Sequence, residues 1–293
     1  GRLMAALADA PREEIRRDDR GRIREKKITV RGRIDGEYTS FFGNGRVMVR
    51  MGFRNGRKEG EACSFYPDGQ MRERGRFKND KLEGEYFSWY ENGALREQET
   101  YIDGLLDGIY RFYYRNGQMR DEERYRMGKL EGEYTTYFPS GQIMAQLIFR
   151  QGKRSGPAVS YYSNGQIREK ATFINDKMDG LYVSYFESGR VREEEPYVNG
   201  KLHGAYRRYF KTGELREQEL FQNGKYEGEY VCYYKSGQIK EKGFFKNDKR
   251  HGDYVAYFKN GNVREKAVYK NGRLAGRFLV FREDGSPADE EAA

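Results

Sequence analysis

The chain has 293 residues, 37% hydrophobic and 34% charged, with 55 Lys and Arg against 46 Asp and Glu for a formal net charge of +9. So polar a composition excludes a thick aliphatic core, and the 15% aromatic content, with 25 Tyr and 18 Phe, requires burial by rings in a thin layer. There is no run of eighteen apolar residues, hence no candidate transmembrane helix, and the modest positive charge is too finely interleaved with acids to form a continuous nucleic-acid track.

The first segment, LMAALADA followed after Pro11 by REEIRRDD, places Leu3, Met4 and Leu7 at helical spacing. It predicts a short N-terminal helical cap over residues 1–20 that covers the first open sheet edge or docks a partner. The chain starts at Gly1 rather than Met, which leaves the compartment open: cytoplasmic, or periplasmic or extracellular if a leader was removed.

From Gly21 to Gly285 the chain repeats. Glycines from Gly36 to Gly276 recur every 24 residues, and a second series from Gly21 and Gly45 to Gly285 keeps the same period without insertion. A fixed period of this length specifies a repeat array whose units stack on their neighbours. With the first-series glycine as position 0, position 2 is Tyr or Phe in nine of eleven units, Ala62 and Ala158 being the exceptions, and position 5 is always aromatic. A turn such as Glu91-Asn92-Gly93-Ala94 follows, then an aliphatic residue such as Ile167 at position 11. Asn-Gly between aromatic-rich runs signals a β-hairpin with a two-residue loop.

That loop sets an expected register: position 6 opposite 11, 5 opposite 12, 4 opposite 13 and 0 opposite 17. Tyr162 then lies beside Ile167, Phe173 across from Gly156, and Tyr161 beside Arg168 as an aromatic–guanidinium pair on the second face. The acid at position 13, as in Glu169, Glu193 and Glu217, falls on the apolar face in this count; a bulge is needed to turn it out.

The second connection, such as Asn175-Asp176-Lys177-Met178-Asp179-Gly180, joins one hairpin to the next. The fold class that follows is all-β, an elongated array of about eleven 24-residue hairpins forming one long twisted antiparallel meander of roughly 22 strands, up to about 105 Å if weakly coiled. In such an array Cys63 and Cys232, seven repeats apart, cannot form a disulfide. Residues 286–293, SPADEEAA, read as an acidic disordered tail.

The segments YENGALRE, YSNGQIRE and YKSGQIKE, alternating with FKNDKLEGEY, YVNGKLHGAY and FQNGKYEGEY, resemble MORN repeats of the variant, bacterial type, over about Gly21 to Gly285. The resemblance implies an elongated hairpin array that serves as an interaction or scaffold module. Some bacterial members carry an antitoxin label, and related proteins have been proposed to bind lipids or partner proteins. It supplies no catalytic residue.

The residues themselves offer no nucleophile with a base, no metal cluster and no phosphate-binding loop, so no enzyme, cofactor or metal is expected. His203 and His251 both occupy position 23, two repeats apart, too far to share a metal. The expected function is protein–protein interaction or scaffolding, with a protein partner or a second copy; glycan or cell-wall binding by aromatic ladders and binding to an anionic lipid surface are the alternatives. The pattern breaks where Met48-Val49 and Met144-Ala145 replace the basic–acidic pair of positions 12 and 13. Met144, Leu147, Ile148, Pro157, Tyr161 and Arg168, with Met48 and Val49, are therefore the candidate partner-binding residues, Pro157 also weakening its strand. The alternative is that the N-terminal helix covers Met48 and the middle patch is a local bend.

Overall fold

The computed structural model describes residues 10–288, which form thirty β-strands paired antiparallel and, among the described residues, no helix. The chain divides into two compact units, the first running to Ile143 and including Phe149–Gly152, the second comprising Met144–Ile148 and the residues from Lys153 onward. Each unit is a run of hairpins in which every strand pairs with its neighbours in sequence.

Among the described residues, the expected N-terminal helix is absent. Arg12–Arg17 is a strand paired with Ile23–Val30, from Arg12 opposite Thr29 to Arg17 opposite Ile23. The turn between them closes with Gly21 N–H donating to the Asp18 carbonyl at 2.8 Å, while the Asp18 carboxylate accepts from the Arg20 and Arg22 N–H groups, each at 3.0 Å. Gly21 belongs to the turn series, so the residues before it are the outgoing strand, and pairing overrides the helical bias of the local sequence. All six are exposed, and their five charges, three basic and two acidic, blunt the edge. The Leu3, Met4 and Leu7 stripe lies outside the described residues. At the other end, Ser286–Ala288 do not trail away: Phe281 bridges Pro287, and the Ala288 N–H donates to the Val280 carbonyl at 2.9 Å.

The first turn is not a two-residue loop. In the unit beginning at Gly156, the Gly165 N–H donates to the Tyr162 carbonyl at 2.9 Å and the Tyr162 N–H to the Gln166 carbonyl at 2.8 Å. Only Gly165 has positive φ, 83°. Asn164 instead uses its side chain, accepting from the Gln166 N–H at 2.9 Å and donating to the Glu187 carbonyl of the next repeat at 3.2 Å. Here a tight turn is followed by a left-handed glycine, and a bulge follows on the return strand. The two-residue loop belongs to the second connection: Asn175 and Asp176 both have positive φ, 49° and 68°, and Ile174 pairs with Lys177 across them.

The bulge corrects the register. Gly156 faces Phe173 and Ser160 faces Glu169 as expected, but Tyr161 faces Ile167, and the pairing skips Arg168. Neither the Tyr162–Ile167 nor the Tyr161–Arg168 pairing exists. The bulge turns the position 12 base inward beside the position 13 acid, so sequence neighbours form ion pairs that a regular strand would hold on opposite faces. Arg96–Glu97 at 3.0 Å, Arg120–Asp121 at 2.6 Å, Arg168–Glu169 at 3.5 Å and Arg264–Glu265 at 3.1 Å repeat this contact. The bulge thus leaves the acid inside and supplies its partner.

The inner face is a lattice of tyrosines and acids. The position 2 ring meets the position 17 ring of its own repeat edge to face, as in Tyr86–Tyr101 at 6.3 Å and Tyr254–Tyr269 at 6.3 Å. The Tyr254 hydroxyl lies between the position 13 acids of two repeats, 3.2 Å from Glu241 and 3.3 Å from Glu265. Position 4 serines donate to the same acids, Ser88 to Glu97 at 2.7 Å. Burial pushes the Tyr86 and Tyr206 hydroxyls up to about 12, with neighbouring acids adding to the shift. Burial also raises the carboxyls of Glu99, Glu123 and Glu219 above the usual carboxylate range, against the opposing hydrogen bonds from Tyr101, Tyr125 and Tyr226.

Repeats are bolted together in one direction. Tyr90 and Tyr114 at position 6 donate to the Tyr113 and Tyr137 carbonyls of the following repeat at 2.7 and 2.8 Å. Glu59 and Glu131 at position 23 accept the N–H of Asn79 and Gln151. His203 takes this acceptor role through Nδ1, 3.4 Å from the Asn223 N–H.

Two outcomes follow from the inner face. A Cβ on Gly243 would stand 2.6 Å from the buried Tyr230 ring, so Gly243→Ala should cost about 1–3 kcal/mol in urea unfolding. Gly43→Ala, whose Cβ meets only the flexible Arg24 guanidinium at 3.4 Å, should change little. Secondly, the folded pKa values of Glu99, Glu123 and Glu219 exceed their unfolded values, so the folded state takes up protons first as pH falls. Their contribution therefore rises as pH drops from neutral through the folded values and levels off near the unfolded value of about 4.3. Glu99→Gln should stabilise the protein at pH 7.5 and shrink the gain between pH 7.5 and 5; a larger gain in the variant would contradict this reading.

Candidate functional site

The lattice has two gaps. Where position 2 is Ala158 instead of an aromatic residue, a cavity of about 310 Å³ opens in the second unit, walled by Ala145, Leu147, Ala171, Phe173, Met178 and Tyr182. Its polar edge is Arg154, Ser160 and Glu169. Where position 2 is Ala62, a cavity of about 310 Å³ opens in the first unit among Val49, Met51, Phe77, Leu82 and Tyr86, with Lys58, Ser64 and Glu73 as the polar groups.

The two gaps carry the same set of changes. In each, the preceding repeat has lost its position 13 acid, replaced by Val49 or Ala145, and its position 12 base, replaced by Met48 or Met144. Each also has a cation at position 22 over the position 17 ring: Lys58 lies 5.0 Å from the Phe77 centroid and Arg154 lies 4.2 Å from that of Phe173. Arg154 also pairs with Asp176 at 3.2 Å. These correlated changes have a physical reason. An acid buried next to a missing tyrosine would lose the hydroxyl that satisfies it, so acid and ring go together.

The sequence-derived candidates divide between the two faces. Leu147 and Val49 are cavity walls. Met48 is 37% exposed. Ile148 points to the opposite face from Leu147, where its Cβ lies 3.2 Å from the place a Cβ on Gly156 would occupy. Pro157 is exposed and pairs with Thr172. It does not weaken the strand: the preceding strand contacts this one through Ala145–Ser160 and Gln146–Val159, the same two pairs that Glu73–Ser88 and Arg74–Phe87 make beside Glu85. Tyr161 and Arg168 are separated by the bulge, Arg168 turning to Glu169. Ala62 and Ala158 were visible as exceptions in the repeat; what the sequence did not show is that each vacates the volume of a ring.

On the outer face of the second unit a groove of about 690 Å³ runs among Lys242, Phe244, His251, Asp253, Val255 and Lys266. Phe244 and Val268 at position 16 are 44% and 45% exposed, Leu220 in the same row is 36% exposed, and Ile148 begins the row. Burial raises both thiols above the ordinary cysteine value, that of Cys232 up to about 12, a direction that disfavours the thiolate. Among the described residues no group of three or more His, Cys, Asp and Glu is placed to hold a metal ion, and no helix is long and apolar enough to cross a membrane.

No curated protein matches the chain. Among solved structures, the chain resembles one in the crystal structure of TcdB2-TccC3-Cdc42 at 12% identity and a TM-score of 0.19, with 95% of this chain and 19% of that chain covered. The Photorhabdus luminescens Tc holotoxin pore carrying the TccC3 mutation D651A gives 12% identity and a TM-score of 0.18, covering 96% of this chain and 19% of that one. The chain thus spans about a fifth of the length of the chains it matches. The MORN repeat variant pattern fits nine consecutive segments, 58–79, 82–103, 106–127, 130–151, 154–175, 178–199, 202–223, 226–247 and 250–271. With the hairpin, the left-handed turn glycine and the inward acid recurring through those segments, the chain belongs to the MORN repeat variant family.

Proposed function

We propose that the chain is a non-enzymatic interaction module whose outer face, in the second unit, holds a protein partner with apolar and acidic side chains. The observation that carries this reading is the position 16 row, in which Leu220, Phe244 and Val268 stay more than a third exposed in neighbouring repeats. Lys242 and Lys266 flank Phe244 in the groove, where Glu229 and Asp253 also lie opposite Phe244 and Val268, so the complementary surface is an apolar segment whose acidic side chains meet the two lysines. Neither the inner acids nor the thiols offer an activated group: the acids are engaged by tyrosine and arginine, and burial disfavours the thiolates. Supporting the module reading, repeat arrays present extended faces suited to large partners.

Phe244→Asp with Val268→Asp should leave the fold intact, since both side chains are exposed, and should abolish capture of partners from the native organism. Lys242→Glu with Lys266→Glu should weaken capture and reduce its salt dependence. Light scattering tests self-association, with Ile148→Asp expected to lower the mass if the partner is a second copy. Unchanged capture and unchanged mass across these variants, with binding to glycans or anionic vesicles instead, would overturn the proposal.

A further inference from the structure

We propose that the cavity at Ala158 is a binding site for one aromatic ring bearing a polar substituent, a phenol above all. The cavity is the place that a tyrosine fills in most sister repeats, and the surroundings that receive that tyrosine remain. Phe173 at position 17 stands where Tyr101 or Tyr269 makes an edge-to-face contact with the position 2 ring, but here it has no ring partner at position 2. Glu169 is the acid of the same repeat that receives the hydroxyl in the Tyr254 case, where Glu265 lies 3.3 Å away. The second acid of that pair is replaced by Ala145, so one acceptor is left and the rest of the wall is apolar.

Ser160 gives an independent indication. Its Oγ is buried and has no hydrogen-bond partner, whereas Ser88 and Ser64 at the same position donate to Glu97 and Glu73 at 2.7 and 3.1 Å. A phenol hydroxyl donating to Glu169 would bring its own oxygen within the neighbourhood of this orphan donor. The Arg154 guanidinium, 4.2 Å from the Phe173 centroid, adds a cationic wall that favours a π-system over a saturated ring.

Size agrees. About 310 Å³ is at the small end of the roughly 300–1,000 Å³ typical of ligand pockets, and an apolar cavity of about 150 Å³ already admits benzene. Apart from Phe173, which is buried, the named walls are only half-buried, so the ring can enter without unfolding a repeat. The cavity at Ala62 repeats the arrangement with Lys58, Phe77 and Glu73 but not the orphan serine, since Ser64 donates to Glu73, and serves as a partial second case. The Ala158 cavity and the groove at Phe244 share no lining residue, so the proposal stands or falls separately from the partner reading.

The test uses the whole chain labelled at the methionine methyl groups and titrated with p-cresol. Met178 lines one cavity and Met51 the other, so their methyl resonances should shift saturably with a Kd on the order of 1 mM or below, while Met119 and Met127 should stay still. Ala158→Tyr should fill the cavity, raise the unfolding midpoint and abolish the Met178 response, with the retained Met51 response showing that the variant is folded. N-acetyl-tyrosinamide in place of p-cresol separates the sources: a Met178 response to both assigns the site to a tyrosine side chain, and a response to p-cresol alone to a free phenol. Absence of a saturable Met178 shift up to the solubility of p-cresol, or an equal shift in Ala158→Tyr, overturns the proposal.

Discussion

The bulge after each first turn is the constraint on which the rest of the structure depends. A strand that alternated without interruption would send Arg168 to one face and Glu169 to the other, leaving a bare carboxylate among aromatic rings. By adding one residue, the bulge brings the arginine to the same face, and the acid is buried with its countercharge rather than without it. Serine at position 4 and tyrosine at position 2 then complete the acid's hydrogen bonds. A polar inner face of this kind is compatible with 34% charged residues, which an aliphatic core is not.

Because each inner group satisfies another, the groups vary together. Loss of the ring at position 2 is accompanied by loss of the acid and base in the preceding repeat, in both Ala62 and Ala158 settings. The irregularity around Met144 is divided between the two faces: Leu147 faces the cavity, whereas Ile148 faces the other way. Two kinds of surface arise from one repeat, a lattice with gaps inside and an apolar row flanked by lysines outside.

Much of this was legible before any coordinates. The 24-residue period, the hairpin in each unit, and the pairings of position 0 with 17 and of 4 with 13 all follow from counting. Asn-Gly occurs at two places in the unit, and only backbone angles separate them: Asn175-Asp176 takes the two-residue loop, whereas Asn164 acts through its side chain. The difference shifts one pairing, and with it the direction of Arg168. The helical spacing of Leu3, Met4 and Leu7 says nothing about Arg12–Arg17, whose position before a turn glycine makes it a strand. The cavities were hidden for another reason, since an alanine in the sequence says nothing of whether its neighbours close over the space.

The links between repeats also give each unit a direction. Tyrosine hydroxyls at position 6 and asparagine amides at position 8 reach forward to carbonyls in the next repeat, as Tyr162 does to Tyr185 and Asn164 to Glu187. The two ends of a run of repeats are therefore chemically unlike: one presents backbone carbonyls and N–H groups, the other the side-chain donors of positions 6 and 8 together with the position 23 acceptors. An array with such polarity can be extended by a repeat at either end, but only in one orientation, because a reversed unit would set donor against donor.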